Sequence, residues 1–289
     1  MKTFLLLLML ACFALLTGGC DRSPPTTDGS SKRVVALSPA VAIILSDLGD
    51  EQSIVGRHGF DLVLNPELPV CGDQTGINYE RLLAINPTHV ITEWGAGGPP
   101  EQLKKLCADR FWKLHDSTLR SPEDIEREVT LLGEFVGVDR RAVSDTQRRI
   151  RSAWAQEESL ATAGRVLMLA DVAQPAALGP GSFHHEILLR IGCVPALTDG
   201  GPYQYLSLEQ VKDINPDVIV LVLPRAPMEP DRPLSGDELI KVLGRIGELE
   251  LDCVRNRRVV LIDDPGALTP STAMIGFAEE LKTFLRDAK

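Results

Sequence analysis

Tyr79-Glu80-Arg81-Leu82-Leu83-Ala84-Ile85-Asn86-Pro87 and Leu208-Glu209-Gln210-Val211-Lys212-Asp213-Ile214-Asn215-Pro216 are one pattern written twice. Glu is second in each copy and Asn-Pro closes both. Proline lacks an amide hydrogen and pushes the residue before it out of the helical region. Each stretch therefore reads as a short helix stopped at proline and fed into the next element. That element is a β-branched run in both copies, His89-Val90-Ile91-Thr92 and Val218-Ile219-Val220-Leu221-Val222, which predicts a buried strand. Leu48-Gly49 against Ile191-Gly192 is a fainter echo, with glycine closing a helix. Two copies of one α/β unit predict two lobes.

The flanking sequence keeps the same grammar. In the first half, Arg33–Ala36 and Ser53–Gly56 read as strands, with Ala40–Leu48 and Asn78–Ile85 as helices. In the second half, Arg165–Ala170 and Arg257–Ile262 read as strands, with Phe183–Ile191 and a closing Thr272–Leu285 as helices. Alternation of this kind argues for parallel sheets covered by helices. Between the halves, Pro122-Glu123-Asp124 opens a helix with acids in its first turn, and Gly137 breaks it. Arg140 to Ala163 then runs without Gly or Pro, which predicts one polar helix of roughly 36 Å. The fold expected is α/β: two Rossmann-like lobes joined by a single long rigid helix. The expected divisions are 1–19 signal peptide, 20–32 tether, 33–121 first lobe, 122–163 helical connector and 164–289 second lobe.

Composition excludes several classes. The chain has 289 residues, 44% hydrophobic and 24% charged, which is neither disordered, collagenous nor polytopic. Its net charge is −10 and no basic run occurs, so nucleic acid is not an expected partner. Lys2 precedes an apolar run from Phe4 to Leu16, then Thr17-Gly18-Gly19-Cys20. That run is too short to span a bilayer and reads as a secretory signal. Asp21 to Lys32 is rich in Ser, Pro, Thr, Asp and Gly and reads as a tether. An exported chain permits disulfides. Cys71–Cys107 and Cys193–Cys253 are the preferred pairing of three, with four buried free thiols as the alternative.

Aromatics are only 5% of the chain, so their positions carry information. Trp94 lies in a Gly-rich loop directly after a strand, and Tyr203 and Tyr205 lie in the corresponding loop of the other half. Phe60 follows the second strand, beside His58. Flat rings with polar tips offer faces for stacking and ends for hydrogen bonds. His184, after Gly181-Ser182, is a candidate ligand contact, and Arg225, after a strand, a candidate partner for a carboxylate or phosphate. Trp112 and Trp154 read as packing or surface residues, and His89 as structural. A zinc peptidase would need a second His where Leu189 stands. No Gly-x-Ser-x-Gly, dinucleotide fingerprint or P-loop occurs. No enzyme, intrinsic cofactor or metal site is expected.

Five segments carry a family resemblance: Val34–Pro39, Asn78–Pro87, Gly181–Leu189, Leu208–Val222 and Arg258–Pro270. Together they resemble the solute-binding proteins of ABC importers for cobalamin, ferric siderophores and haem, over about residues 33 to 286. The cobalamin-binding type is the most similar. The resemblance implies ligand held between the lobes at the carboxyl ends of their strands, and glutamates at each lobe's apex that meet arginines of a permease dimer. Those become Glu80 and Glu209 here. The Gly18-Gly19-Cys20 ending resembles a bacterial lipobox, which implies an acylated Cys20 and a monomeric extracytoplasmic protein anchored to a membrane. A corrinoid is the favoured ligand, with haem or a ferric siderophore as the alternative, for which His58, His184, Tyr203 or Tyr205 would serve as haem ligand. Family members often carry arginine after the proline near the last helix, but Ser271 follows Pro270 here, which disfavours strongly anionic siderophores. A sensor or adhesin on the same scaffold and an exported hydrolase are the remaining alternatives.

Overall fold

A computed structural model describes residues 32–73, 75–225 and 236–287. The segment expected as signal and tether, with Cys20, lies outside the described residues except for Lys32. Lys32 donates to Val136 O at 2.9 Å and pairs with Asp50 at 2.5 Å.

The first sheet holds β1 (Val34–Ala36), β2 (Ile54–His58), β3 (Val70–Asp73), β4 (Gly76–Ile77), β5 (His89–Thr92) and β6 (Lys113–Asp116), in the order β4-β3-β2-β1-β5-β6. All pairings are parallel except β3 with β4. Three helices serve it: α1 (Pro39–Asp47), α2 (Tyr79–Ile85) and α3 (Glu101–Arg110). Serine and proline explain where α1 starts. Ser38 Oγ accepts the Val41 amide, and Pro39 takes the first helical position, where no amide is needed.

The second sheet holds β7 (Arg165–Asp171), β8 (Ala176–Leu178), β9 (Val194–Pro195), β10 (Tyr203–Tyr205), β11 (Val218–Val222) and β12 (Val259–Ile262). Its main path is β10-β8-β7-β11-β12, and β9 also pairs with β7. β7, β11 and β12 are parallel, while β8 and β10 form an antiparallel edge. α6 (Phe183–Arg190) and α10 (Ala273–Asp287) pack against the central core on one face. α7 (Leu208–Ile214), α8 (Gly236–Val242) and α9 (Asp252–Arg255) lie on the other side. Every residue of β1 and β11 is buried, as parallel strands covered on both faces must be.

The repeated sequence is a repeated structure. Asn78 Oδ1 accepts the Arg81 amide to start α2, and Ser207 with Gln210 forms a capping box to start α7. Both helices end on a left-handed asparagine, Asn86 at φ 48° and Asn215 at φ 41°.

The connector differs from the expected single rod. It consists of α4 (Pro122–Val136) and α5 (Arg140–Ala153), separated by Gly137 at φ 74°, with a short 3-10 turn at Glu158–Ala163. The two helices cross closely: a Cβ on Gly133 would lie 2.5 Å from Val143 Cγ2. The run from Arg140 stops at Ala153, ten residues early, because tertiary contacts take over from helix propensity. Trp154 is buried and its indole donates to Met274 O at 3.2 Å. The Glu157 amide donates to Ile191 O at 3.0 Å, and its carboxylate holds Lys282 and Arg286.

One apolar cluster joins the lobes. It takes Val34 and Ile91 from the first sheet, Val166, Met168 and Val220 from the second, and residues of α1, α4, α5, α6 and α10 between them. An ion pair from Arg190 to Glu123 ties α6 to α4.

Both expected disulfides are absent. Cys71, Cys107, Cys193 and Cys253 are free and buried. Cys193 packs in the central cluster with Val166 and Met168, whereas Cys253 packs with Leu167 and Leu169. Alternate residues of a strand face opposite ways, so the sheet itself separates that pair. Burial pushes the thiols of Cys71, Cys107 and Cys253 up to about 11, and that of Cys193 up to about 12. Trp112 is also a packing residue; its indole donates to Asn86 Oδ1 at 3.2 Å.

Candidate functional site

Loops that leave the carboxyl ends of parallel strands are where α/β sheets form ligand crevices. In the first sheet these ends are tied by short hydrogen bonds. Ser38 Oγ donates to Glu93 Oε2 at 2.6 Å, and Thr92 Oγ1 donates to Asp116 Oδ1 at 2.6 Å. Asp116 Oδ1 also accepts the Trp94 amide at 2.9 Å. The backbone of Trp94 is thereby fixed while the residue stays 42% exposed. Burial pushes the Glu93 carboxyl up, with Asp116 and Glu128 adding to it and the Ser38 hydroxyl opposing.

After β2 the chain turns on its own side chains. His58 Nδ1 accepts the Phe60 amide at 3.2 Å, and the two rings lie 5.8 Å apart. Asp61 Oδ1 accepts the amides of Val63 and Leu64 at 2.9 and 2.8 Å. This turn presents Phe60, Leu62 and Val63 to the surface.

The second lobe offers the loop after β12. Asp264 Oδ1 accepts the Gly266 amide at 2.7 Å, and Asp264 O accepts the Ala267 amide at 2.9 Å. The end of β11 is clasped to this loop. The Arg225 amide donates to Asp263 O at 2.9 Å, and its guanidinium pairs with the Asp263 carboxylate at 2.6 Å.

A cavity of about 470 Å³ opens where the loops after β2 and β12 meet the helices α1, α5 and α10. Its walls include Leu62 and Val63 after β2, Asp47 of α1, Arg149 of α5, Asp264 after β12, and Thr272 before α10. The lobes touch at one side of it. A Cβ on Gly266 would lie 3.0 Å from Ile43 Cδ1, so glycine allows the close approach. Arg149 pairs with Asp47 at 3.2 Å across the α1–α5 side.

The expected residues are distributed unevenly around this cavity. Phe60, Trp94, Tyr203, Tyr205 and Arg225 do not line it. Phe60 stands two residues before Leu62, and Arg225 grips Asp263 beside Asp264, so both adjoin its rim. Tyr203 and Tyr205 share one face of the edge strand β10, with rings 5.5 Å apart and edge to face. Tyr205 borders a separate hollow of about 530 Å³ within the second lobe, beside Leu206 and Arg245.

His184 does not line the cavity. It is 3% exposed, donates from Nε2 to Ala267 O at 2.7 Å, and packs edge-on against Phe277. Burial pulls its imidazole down to about 4, so it is neutral. Its place is beneath the loop that walls the cavity, where it positions Asp264 to Ala267. Glu80 and Glu209 are exposed in the first turns of α2 and α7. Among the described residues no cluster of three His, Cys, Asp or Glu is placed to hold a metal ion.

Sequence reasoning missed Leu62, Val63, Asp264 and Thr272. The apolar run Leu62-Val63-Leu64 between Gly59 and Pro66, and the turn Asp264-Pro265-Gly266 after a strand, were the available signals.

Residues 34–265 match the periplasmic binding protein family. No curated protein sequence matches. Among solved structures, the periplasmic vitamin B12-binding protein of Vibrio cholerae is similar at 22% identity and a TM-score of 0.64, covering 89% of this chain and 97% of that one. The periplasmic heme-binding protein of Roseiflexus sp. RS-1 is similar at 23% identity and a TM-score of 0.66, covering 89% and 99%. The periplasmic heme-binding protein of Vibrio cholerae shows 18% identity and a TM-score of 0.66, again covering 89% and 99%. At these identities the solved structures speak for the fold. The match to residues 34–265 speaks for descent.

Proposed function

Because this chain belongs to the periplasmic binding protein family, we propose that it captures a bulky metal chelate between its lobes and delivers it to the permease dimer of an ABC importer. One observation supports the reading: a cavity of about 470 Å³ that takes its walls from both lobes, from the loops after β2 and β12 and from α1, α5 and α10. Exposed Phe60 and Trp94, on loops at the ends of β2 and β5, offer flat apolar faces for a macrocycle. Tyr203 and Tyr205 present two more on the second lobe. A corrinoid is the favoured ligand. Glu80 and Glu209 are the proposed contacts with permease arginines. The protein works outside the cytoplasm, held to a membrane through acylated Cys20. Among the described residues no helix is long and apolar enough to cross a membrane.

Haem is the second reading, and exposed Tyr203 and Tyr205 favour it, since a phenol oxygen on the surface is a competent iron ligand. Visible spectra decide between them. The purified protein is incubated with cyanocobalamin, haemin or a ferric siderophore, desalted and scanned. Retained corrinoid bands are the expected result. A retained Soret band with no corrinoid moves the assignment to haem. Retention of none of the three overturns the proposal.

A further inference from the structure

Trp94 is exposed, yet the chain that carries it is tied from both neighbouring strands. β5 lies between β1 and β6 in the first sheet. From the β1 side, Ser38 Oγ donates to Glu93 Oε2 at 2.6 Å. From the β6 side, one carboxylate oxygen, Asp116 Oδ1, accepts the Thr92 hydroxyl at 2.6 Å and the Trp94 amide at 2.9 Å. Thr92 is fully buried and its carbonyl accepts the Ser117 amide at 2.7 Å, so the two strand ends are locked in register. Hydrogen bonds to a carboxylate are the strong ones. Packing contributes little beyond this point. Gly95 and Gly98 stand at φ 81° and 65°, and a Cβ built on Gly95, Gly97 or Gly98 would meet nothing within 4 Å. An acid that ends an edge strand reads from sequence as solvated; here it is half-buried and turned onto its neighbour.

Resting on the chelate-receptor reading above, we infer that Asp116 is a positioning residue for ligand capture, acting through Trp94: it holds the indole in its binding pose before the chelate arrives. Ordering a side chain and its loop at the moment of binding costs affinity, and a rim already held avoids that cost. What matters is the acceptor oxygen and not the charge. Asparagine at 116 offers the same oxygen to both donors, whereas alanine offers none. The Ser38 tie cannot be tested as cleanly, because the same hydroxyl caps α1.

The test is a double-mutant cycle on the purified full-length protein. Cyanocobalamin and haemin are each titrated by equilibrium dialysis and read by visible absorbance, with far-UV circular dichroism to confirm folding. Asp116→Ala should weaken the retained probe about tenfold, and Asp116→Asn should stay within about twofold of wild type. Trp94→Ala should also weaken binding, and adding Asp116→Ala to it should cost less than about a further twofold, because the two residues act as one unit. Asp116→Ser, which is too short to reach the Trp94 amide, replaces the alanine variant if that does not fold. An equal loss from Asp116→Ala with and without Trp94 overturns the inference, as does a loss in Asp116→Asn as large as in Asp116→Ala. Unchanged affinity in Trp94→Ala overturns it while leaving the chelate-receptor reading intact. Failure of the wild type to bind either probe overturns both.

Discussion

His184 shows what burial does to a residue whose sequence context invites a ligand role. Its imidazole is neutral because charging it would place a cation against Phe277 with one carbonyl for company. In the unfolded chain it titrates near its ordinary 6.5, whereas in the fold it is held near about 4. A depressed histidine destabilises the fold as pH falls, because the unfolded chain takes up the proton first. The contribution is intact above pH 6.5 and shrinks progressively as pH falls toward 4. A shift of this size corresponds to about 3 kcal/mol. Urea unfolding of wild type and His184→Gln at pH 7.5 and pH 4 measures it. The variant starts less stable, since the Ala267 carbonyl loses a well-placed donor, but its stability should fall less between the two pH values. Parallel losses would show that His184 does not carry the acid sensitivity. Because the same side chain positions the Asp264–Ala267 loop, corrinoid affinity should weaken alongside.

At the scale of elements, α2 and α7 are the informative pair, each opened by a capping side chain with a glutamate in its first turn. Glu80 and Glu209 complement the helix dipole, which is worth about 0.3–1 kcal/mol each. A purely capping role therefore predicts a slightly less stable protein that still transports. A docking role predicts something different for Glu80→Ala with Glu209→Ala: unchanged chelate affinity and abolished uptake by cells carrying the matching importer. Normal uptake would return both residues to helix capping. These helices were legible from sequence because proline, asparagine and a serine cap act locally. The α5 terminus was not, because Trp154 ends the helix through a bond to Met274 O, 120 residues away. The same limit explains the cleft. Phe60 and Trp94 were found at strand ends by their aromatic character, but the walls at Leu62, Asp264 and Thr272 follow from how two lobes meet. The burial of His184 was not legible because nothing local distinguishes a buried histidine from a solvated one. Of the two readings of the four cysteines, the free-thiol one holds, and the preferred pairing fails because a spacing in sequence does not reveal that a sheet stands between Cys193 and Cys253.

For the whole molecule, the shared core decides how the lobes move. Ile44 of α1 in the first lobe and Leu132 of α4 sit in one buried cluster with Leu281 and Phe277 of α10 in the second lobe. Swinging one lobe against the other would uncover such side chains. Each costs about 1.5–3 kcal/mol to expose, so opening four costs roughly 6–12 kcal/mol. That is comparable to the whole binding free energy of a micromolar to nanomolar ligand, about 8–12 kcal/mol. Binding therefore cannot drive a large hinge closure, and the ligand must fit a groove already formed. Small-angle scattering with and without saturating ligand should give radii of gyration that agree within about 1 Å, the scale of change in pre-organised complexes. The same core predicts one unfolding transition for both lobes. Tryptophan fluorescence, which reports Trp94 and Trp112 in the first lobe and Trp154 at the join, should follow the same urea curve as far-UV circular dichroism. A contraction of several ångströms on ligand addition, or two separated transitions, would mean that the apolar cluster does not bind the lobes into one body, and the pre-formed groove would have to be replaced by one that ligand assembles.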